Sequence, residues 1–115
     1  MYKRQVRDFI FIEDVVDAYL QAIQVQHNPG EIYAIGSGIQ YSVKDIIEKI
    51  LTITKSKSNI EWGAVKKQAR YIEPKKWIAN VSKAKKILHW EPKNTIDAGL
   101  QKTIQWITEH KNLYN

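Results

Sequence analysis

The chain has 115 residues, a net charge of +6, 43% hydrophobic and 26% charged residues, and no cysteine. That length allows one domain with a modest core, and the composition is that of a globular chain, not a disordered one. The composition excludes disulfides and thiolate metal sites; no apolar run approaches the ~20 residues that span a bilayer, and the basic N-terminus precedes no long apolar stretch of the signal-peptide kind.

Residues 1–5 are read as a non-native or disordered extension, and residues 6–112 as the folded part. Phe9 to Ile12 is a short apolar, aromatic run and predicts a buried strand. Glu13 and Asp14 then open a helix, with acids at its positive end. Val15, Val16, Tyr19, Leu20 and Ile23 form its apolar face. Asn28-Pro29-Gly30 predicts a turn. Glu31 to Ile35 predicts a second strand, and Gly36-Ser37-Gly38 a flexible loop. Ser42 with Asp45 is a helix start of the capping-box kind, and the helix buries Val43, Ile46, Ile47, Ile50 and Leu51. Asn59 to Trp62 is a candidate third strand. A strand–helix–strand unit of this length predicts a parallel pair with a right-handed crossover.

Gly63 to Ala79 reads as a long basic loop, and loops of that length in compact domains are functional or mobile. Ser82 predicts the cap of a short helix burying Ala84, Ile87 and Leu88. His89 stands where that helix ends, and Trp90-Glu91-Pro92 stops it. Thr95 caps a last helix with Ile96, Leu100, Ile104 and Ile107 on its core face. Gly99 inside it costs ~1 kcal/mol against alanine, which implies close packing against another backbone or an aromatic ring.

A basic chain suits nucleic acid, an anionic membrane or a small phosphorylated ligand. Here the basic residues scatter, densest at Lys66, Lys67, Arg70, Lys75 and Lys76, a pattern that suits a diphosphate as well as a polymer. Arg7 and Arg70 are the arginines outside the extension, and arginine is the better bidentate phosphate ligand. His27, His89 and His110 have no metal-ligand spacing. No serine lies in a nucleophile-elbow pattern.

Taken together, Arg7-Asp8-Phe9-Ile10-Phe11-Ile12-Glu13-Asp14-Val15-Val16, then Tyr33-Ala34-Ile35-Gly36-Ser37-Gly38, Tyr41-Ser42-Val43-Lys44-Asp45 and Ser82-Lys83-Ala84-Lys85-Lys86-Ile87-Leu88-His89-Trp90-Glu91-Pro92 carry a family signal by order and spacing. The set resembles the C-terminal, substrate-binding part of the extended short-chain dehydrogenase/reductase family of NAD(P)-dependent nucleotide-sugar epimerases and dehydratases. It covers residues 6 to about 108. The resemblance implies an α/β to α+β fold, a small sheet with packed helices belonging to a larger Rossmann-type enzyme. It implies a nucleoside diphosphate sugar as ligand and NAD or NADP bound by the other half, with no cofactor expected in this chain. It implies Arg7 on the phosphates, Phe9 lining the site, Val43 packing on the nucleotide, Arg70 on the β-phosphate, Glu73 on ribose hydroxyls and Trp77 as a wall. It also implies a cytoplasmic homodimer for the parent enzyme, with no nucleic acid and no membrane as partners.

The sequence departs from the family pattern at Ala34, where relatives usually have asparagine, and at His89, where they usually have glycine. The second substitution puts a non-glycine residue in a left-handed position at a cost of ~1 kcal/mol. The family's catalytic equipment is not matched. No GxxGxxG turn follows a strand. The one Tyr-x-x-x-Lys match, Tyr71 with Lys75, contains Pro74, which breaks the helix such a pair needs. Two other readings stand beside the enzyme part: a free-standing basic module for nucleic acid or a protein partner, against which no recognised nucleic-acid motif occurs, and a ligand-free interaction or structural domain. Without its other half the enzyme part is expected to expose apolar surface and to self-associate or be marginally stable.

Overall fold

The computed structural model describes residues 5–26, 28–62 and 74–114. Strand β1 (Val6–Asp8) leads to helix α1 (Ile12–Gln24); strand β2 (Gln40–Ser42) runs directly into helix α2 (Val43–Thr54). A single wide π-type turn (Ala84–Leu88) precedes helix α3 (Ile96–Glu109), and a short 3-10 turn (Lys111–Leu113) follows. The described α/β arrangement is thus a small sheet with helices packed on it, as anticipated.

The strands differ from the sequence reading. β1 and β2 pair antiparallel, with Val6 opposite Ser42, Arg7 opposite Tyr41 and Asp8 opposite Gln40. The ladder found among the described residues is thus antiparallel and joins other segments than the anticipated parallel pair. Gln5, the last residue of the expected extension, carries the ladder one step further: its carbonyl accepts the Val43 N–H at 2.9 Å. The run Phe9 to Ile12 is not a strand. Phe11 stays extended at φ −77°, ψ 142° as the residue before α1, and Ile12 is already helical. Neither Glu31–Ile35 nor Asn59–Trp62 forms a ladder among the described residues. Residues 32–35 nevertheless keep a strand's alternation. Tyr33 and Ile35 pack against the core while Ile32 stays 84% exposed.

The helices follow the sequence more closely. α2 begins with a full capping box: Ser42 Oγ accepts the Asp45 N–H at 3.1 Å, and Asp45 accepts the Ser42 N–H at 2.9 Å. Thr95 Oγ1 accepts the Ala98 N–H at 3.3 Å and caps α3. Gly99 lies against Phe11, whose ring carbons would stand 3.3 Å from an added Cβ; this is the aromatic neighbour the glycine implied. The Asn28-Pro29-Gly30 turn forms, with Gly30 at φ +80°. His89 takes the left-handed conformation, φ 54° and ψ 31°, and its N–H closes the π-type turn on the Ala84 carbonyl. That turn is not capped by Ser82. The Asn80 side-chain carbonyl accepts the Ser82 N–H at 3.1 Å instead. Ile107, predicted on the core face of α3, is exposed.

The core is Ala18, Ala84, Leu88 and Trp90, ringed by Ile10, Ala22, Tyr33, Ile35, Val81 and Ile87. Trp90 is its centre; burying one such ring contributes roughly 4–6 kcal/mol of transfer free energy. Its indole N–H donates to the Asp14 carbonyl at 3.0 Å. The buried face of α1 is therefore Asp14, Ala18 and Ala22, where small side chains let Leu88 and Trp90 approach. Apart from half-buried Val15, the predicted face is the outer one. Val16, Tyr19, Leu20 and Ile23 are exposed.

Candidate functional site

Arg7 occupies the middle of β1, opposite Tyr41. Its Nη1 donates to the Val6 carbonyl at 2.7 Å. Its guanidinium carbon lies 4.8 Å from the centroid of the Trp77 ring. Two residues 70 positions apart are thus stacked, an interaction that contributes about 0.5–1 kcal/mol at an exposed site. Trp77 itself is 52% exposed, so the stack sits at the surface. A guanidinium held on an aromatic face is a planar fork of donors with its orientation fixed, which is the geometry that recognises phosphate oxygens.

The neighbouring carboxylate builds the scaffold under this stack. Asp8 Oδ1 accepts from the Ser37 N–H at 2.7 Å and from Ser37 Oγ at 2.6 Å. Oδ2 accepts from the Gly38 and Ala79 N–H groups, each at 3.0 Å. The Trp77 N–H donates to Gln40 Oε1 at 3.1 Å. β1, the loop 36–38 and the segment 77–79 are therefore tied side by side. Gly36 permits the approach: a Cβ there would lie 2.5 Å from the Ala79 Cβ and 2.8 Å from Asp8 Oδ2. Together Asp8, Ile35, Gly36, Trp77, Ile78 and Ala79 line a cavity of about 260 Å³.

The other predicted site residues fall differently. Val43 is the first residue of α2 and half-buried, hydrogen-bonded to the residue before β1. Phe9 lines a separate cavity with Ile46, Asn94 and Leu100, between α2 and α3. Arg70 and Glu73 lie outside the described residues. The sequence reading missed Asp8, Ser37 and Gln40. Asp8 directly follows Arg7 in the first motif and Ser37 sits between two glycines, but neither position indicates by itself that the two motifs bond to each other.

The two strand-to-helix junctions have no glycine-rich turn. The β1–α1 connection is Phe9-Ile10-Phe11 and β2 runs straight into α2 at Ser42. Neither carries the glycines that bring bare backbone onto a pyrophosphate. Among the described residues no group of three or more His, Asp or Glu could hold a metal ion, and no helix is long and apolar enough to cross a membrane.

The family model described as GDP-mannose 4,6 dehydratase matches residues 3–103. The chain belongs to this family of NAD-dependent nucleotide-sugar epimerases and dehydratases. Among its relatives, dTDP-D-glucose 4,6-dehydratase of Bos taurus is 32% identical over 110 residues, covering 92% of this chain and 30% of the relative. The UDP-glucose 4-epimerase of Thermotoga maritima, solved with UDP-glucose, superposes with a TM-score of 0.79 at 30% identity, covering 93% of this chain and 33% of that one. The UDP-glucuronic acid 4-epimerase of Bacillus cereus, solved with NAD, gives 0.75 at 28% identity, covering 95% and 32%. The chain spans about a third of the length of the family members it matches, and the small sheet with its helices corresponds to part of their Rossmann-type fold.

Proposed function

We propose that this chain is the nucleoside-diphosphate-sugar-binding part of an NAD(P)-dependent nucleotide-sugar epimerase or dehydratase. The observation that carries the reading is the Arg7–Trp77 stack, in which a forked cation and an aromatic wall meet beside a cavity. In this reading Arg7 takes phosphate oxygens, Trp77 and Val43 wall the nucleotide, and Phe9 backs β1 from the side of α2 and α3. The family resemblance adds Arg70 for the β-phosphate and Glu73 for the ribose hydroxyls. The UDP-glucose found in the Thermotoga epimerase supports the ligand class. The dinucleotide and the hydride chemistry belong to the remainder of a family-length enzyme, which the reading takes as a cytoplasmic homodimer.

The test is calorimetric titration of the 115-residue chain with UDP, dTDP, GDP and CDP. At least one nucleotide is expected to bind, and Arg7→Ala to weaken it by about tenfold, the equivalent of one charge-assisted hydrogen bond. Equal affinity in wild type and Arg7→Ala would overturn the assignment. Salt-sensitive binding of an oligonucleotide, with no nucleotide binding, would favour the basic-module reading instead.

A further inference from the structure

We infer that Asp8 is the positioning residue of the anion site, setting the Arg7–Trp77 stack without touching the ligand; this rests on the nucleoside-diphosphate reading above. Each Asp8 oxygen accepts two donors, from Ser37 twice, Gly38 and Ala79. Four bonds are the full complement of a carboxylate. A group so occupied is committed to holding chain, although it is the immediate neighbour of the phosphate-binding cation. What it holds is specific. Ala79 lies two residues beyond Trp77, and the Trp77 N–H is itself fixed to Gln40 on β2. The segment is therefore pinned to the sheet at both ends, by Asp8 of β1 and by Gln40 directly opposite it in the ladder. So held, the segment presents the indole ring to Arg7.

The charge is part of the device. Three of the four donors are backbone N–H groups and the fourth is a hydroxyl, and the two oxygens must both accept. An asparagine would turn an NH2 group towards either Ser37 or the Gly38 and Ala79 amides, so it breaks one side of the clamp while keeping the shape. Gly36 makes the clamp possible, because a Cβ there would lie 2.5 Å from the Ala79 Cβ and 2.8 Å from Asp8 Oδ2.

The test is a double-mutant cycle read by UDP titration, together with the 1H–15N resonance of the Trp77 indole, on the full 115-residue chain. Asp8→Asn is expected to weaken UDP by about tenfold in the wild-type background and by less than about twofold in Arg7→Ala, since coupled residues are non-additive. In the ligand-free protein Asp8→Asn is expected to move the Trp77 indole resonance, and Gln40→Leu, which releases only the Trp77 end, to move it too and weaken UDP by about threefold. An unmoved Trp77 resonance in a folded Asp8→Asn, or an equal loss of affinity in both backgrounds, overturns the inference. If Asp8→Asn does not fold, Gln40→Leu with unchanged resonance and affinity overturns it. A wild-type chain that does not bind UDP, dTDP, GDP or CDP overturns the nucleotide reading itself; the ligand-free resonance still decides whether Asp8 sets the stack.

Discussion

Replacing Asp14 by alanine removes the polar centre of the core. Asp14 is 2% exposed. Its Oδ1 accepts the Lys93 N–H at 3.0 Å and the Asn94 side-chain amide at 2.9 Å, and its Oδ2 accepts the Asn94 N–H at 3.1 Å. These bonds fasten the first turn of α1 to the segment entering α3. Bonds to a charged acceptor contribute roughly 1.5–3 kcal/mol each, but donors on exposed Lys93 and half-buried Asn94 recover water, so each bond contributes about 1 kcal/mol. Loss of a carboxylate from a helix's first turn adds about 0.5 kcal/mol. The sum is about 3.5 kcal/mol, a large share of the roughly 5–15 kcal/mol that a domain has. In urea, with a slope near 1.5 kcal/mol/M, the unfolding midpoint of Asp14→Ala is expected to fall by about 2 M. Asp14→Asn keeps the shape and one acceptor and is expected to lose about half as much. A midpoint shift below about 0.5 M for the alanine variant would refute the bookkeeping, and with it the view that these bonds lock α1 to α3.

Three further outcomes follow from the same geometry. The side chain and backbone N–H of Ser42 hold the Asp45 carboxyl below its ordinary value; a lowered carboxyl contributes stability above its unfolded-state value and loses it as pH falls through the lowered one. Thermal melts of wild type and Asp45→Asn should therefore differ at neutral pH and converge as pH falls through the lowered value; a constant gap would count against the capping box as the source. His89 is left-handed and exposed, so His89→Gly should raise the melting temperature by about 4 °C, the effect of roughly 1 kcal/mol. Among the described residues, α1 carries an exposed apolar stripe of Ile12, Val16, Tyr19, Leu20 and Ile23. Tyr19 at 70% and Ile23 at 81% exposure lead the apolar stripe on α1. Sedimentation velocity should show concentration-dependent association that Tyr19→Lys with Ile23→Lys reduces; a wild-type chain monomeric at every concentration would oppose it.

What was legible in the sequence was local. Ser42 with Asp45, Thr95, the His89 end signal and the Gly99 notch each involve residues within a turn or one neighbouring ring, and each is realised. Strand positions are not legible in this way because a ladder is a non-local property. Phe9 to Ile12 has a strand's composition, but pairing stops at Asp8, and beyond it the chain turns into α1 with the Asp14 N–H donating to the Phe11 carbonyl at 3.1 Å. The buried face of α1 is hidden for a different reason. The helix is apolar on two sides, and its bulky side dominates the sequence pattern, whereas the core takes the small one, where Ala18 and Ala22 make room for Leu88 and Trp90. A helix apolar on both sides is suited to lie between two layers, and the described residues supply one of them.

The candidate site divides along the same line. Arg7 and Trp77 could each be singled out by residue type and motif position. Their meeting could not, because it depends on a carboxylate whose four donors come from positions 29, 30 and 71 residues away. The bonds of Asp8 go to backbone amides and a serine, and they tie the Arg7 motif, the glycine loop and the Trp77 segment side by side. The spacing of the three motifs is thus explained by a physical constraint: each must bring its own backbone donor, or the acceptor for it, to the same side chain. Moving Trp77 by one residue relative to Ala79 would leave the clamp formed and the stack broken, so register within the segment matters as much as the identity of the aromatic residue.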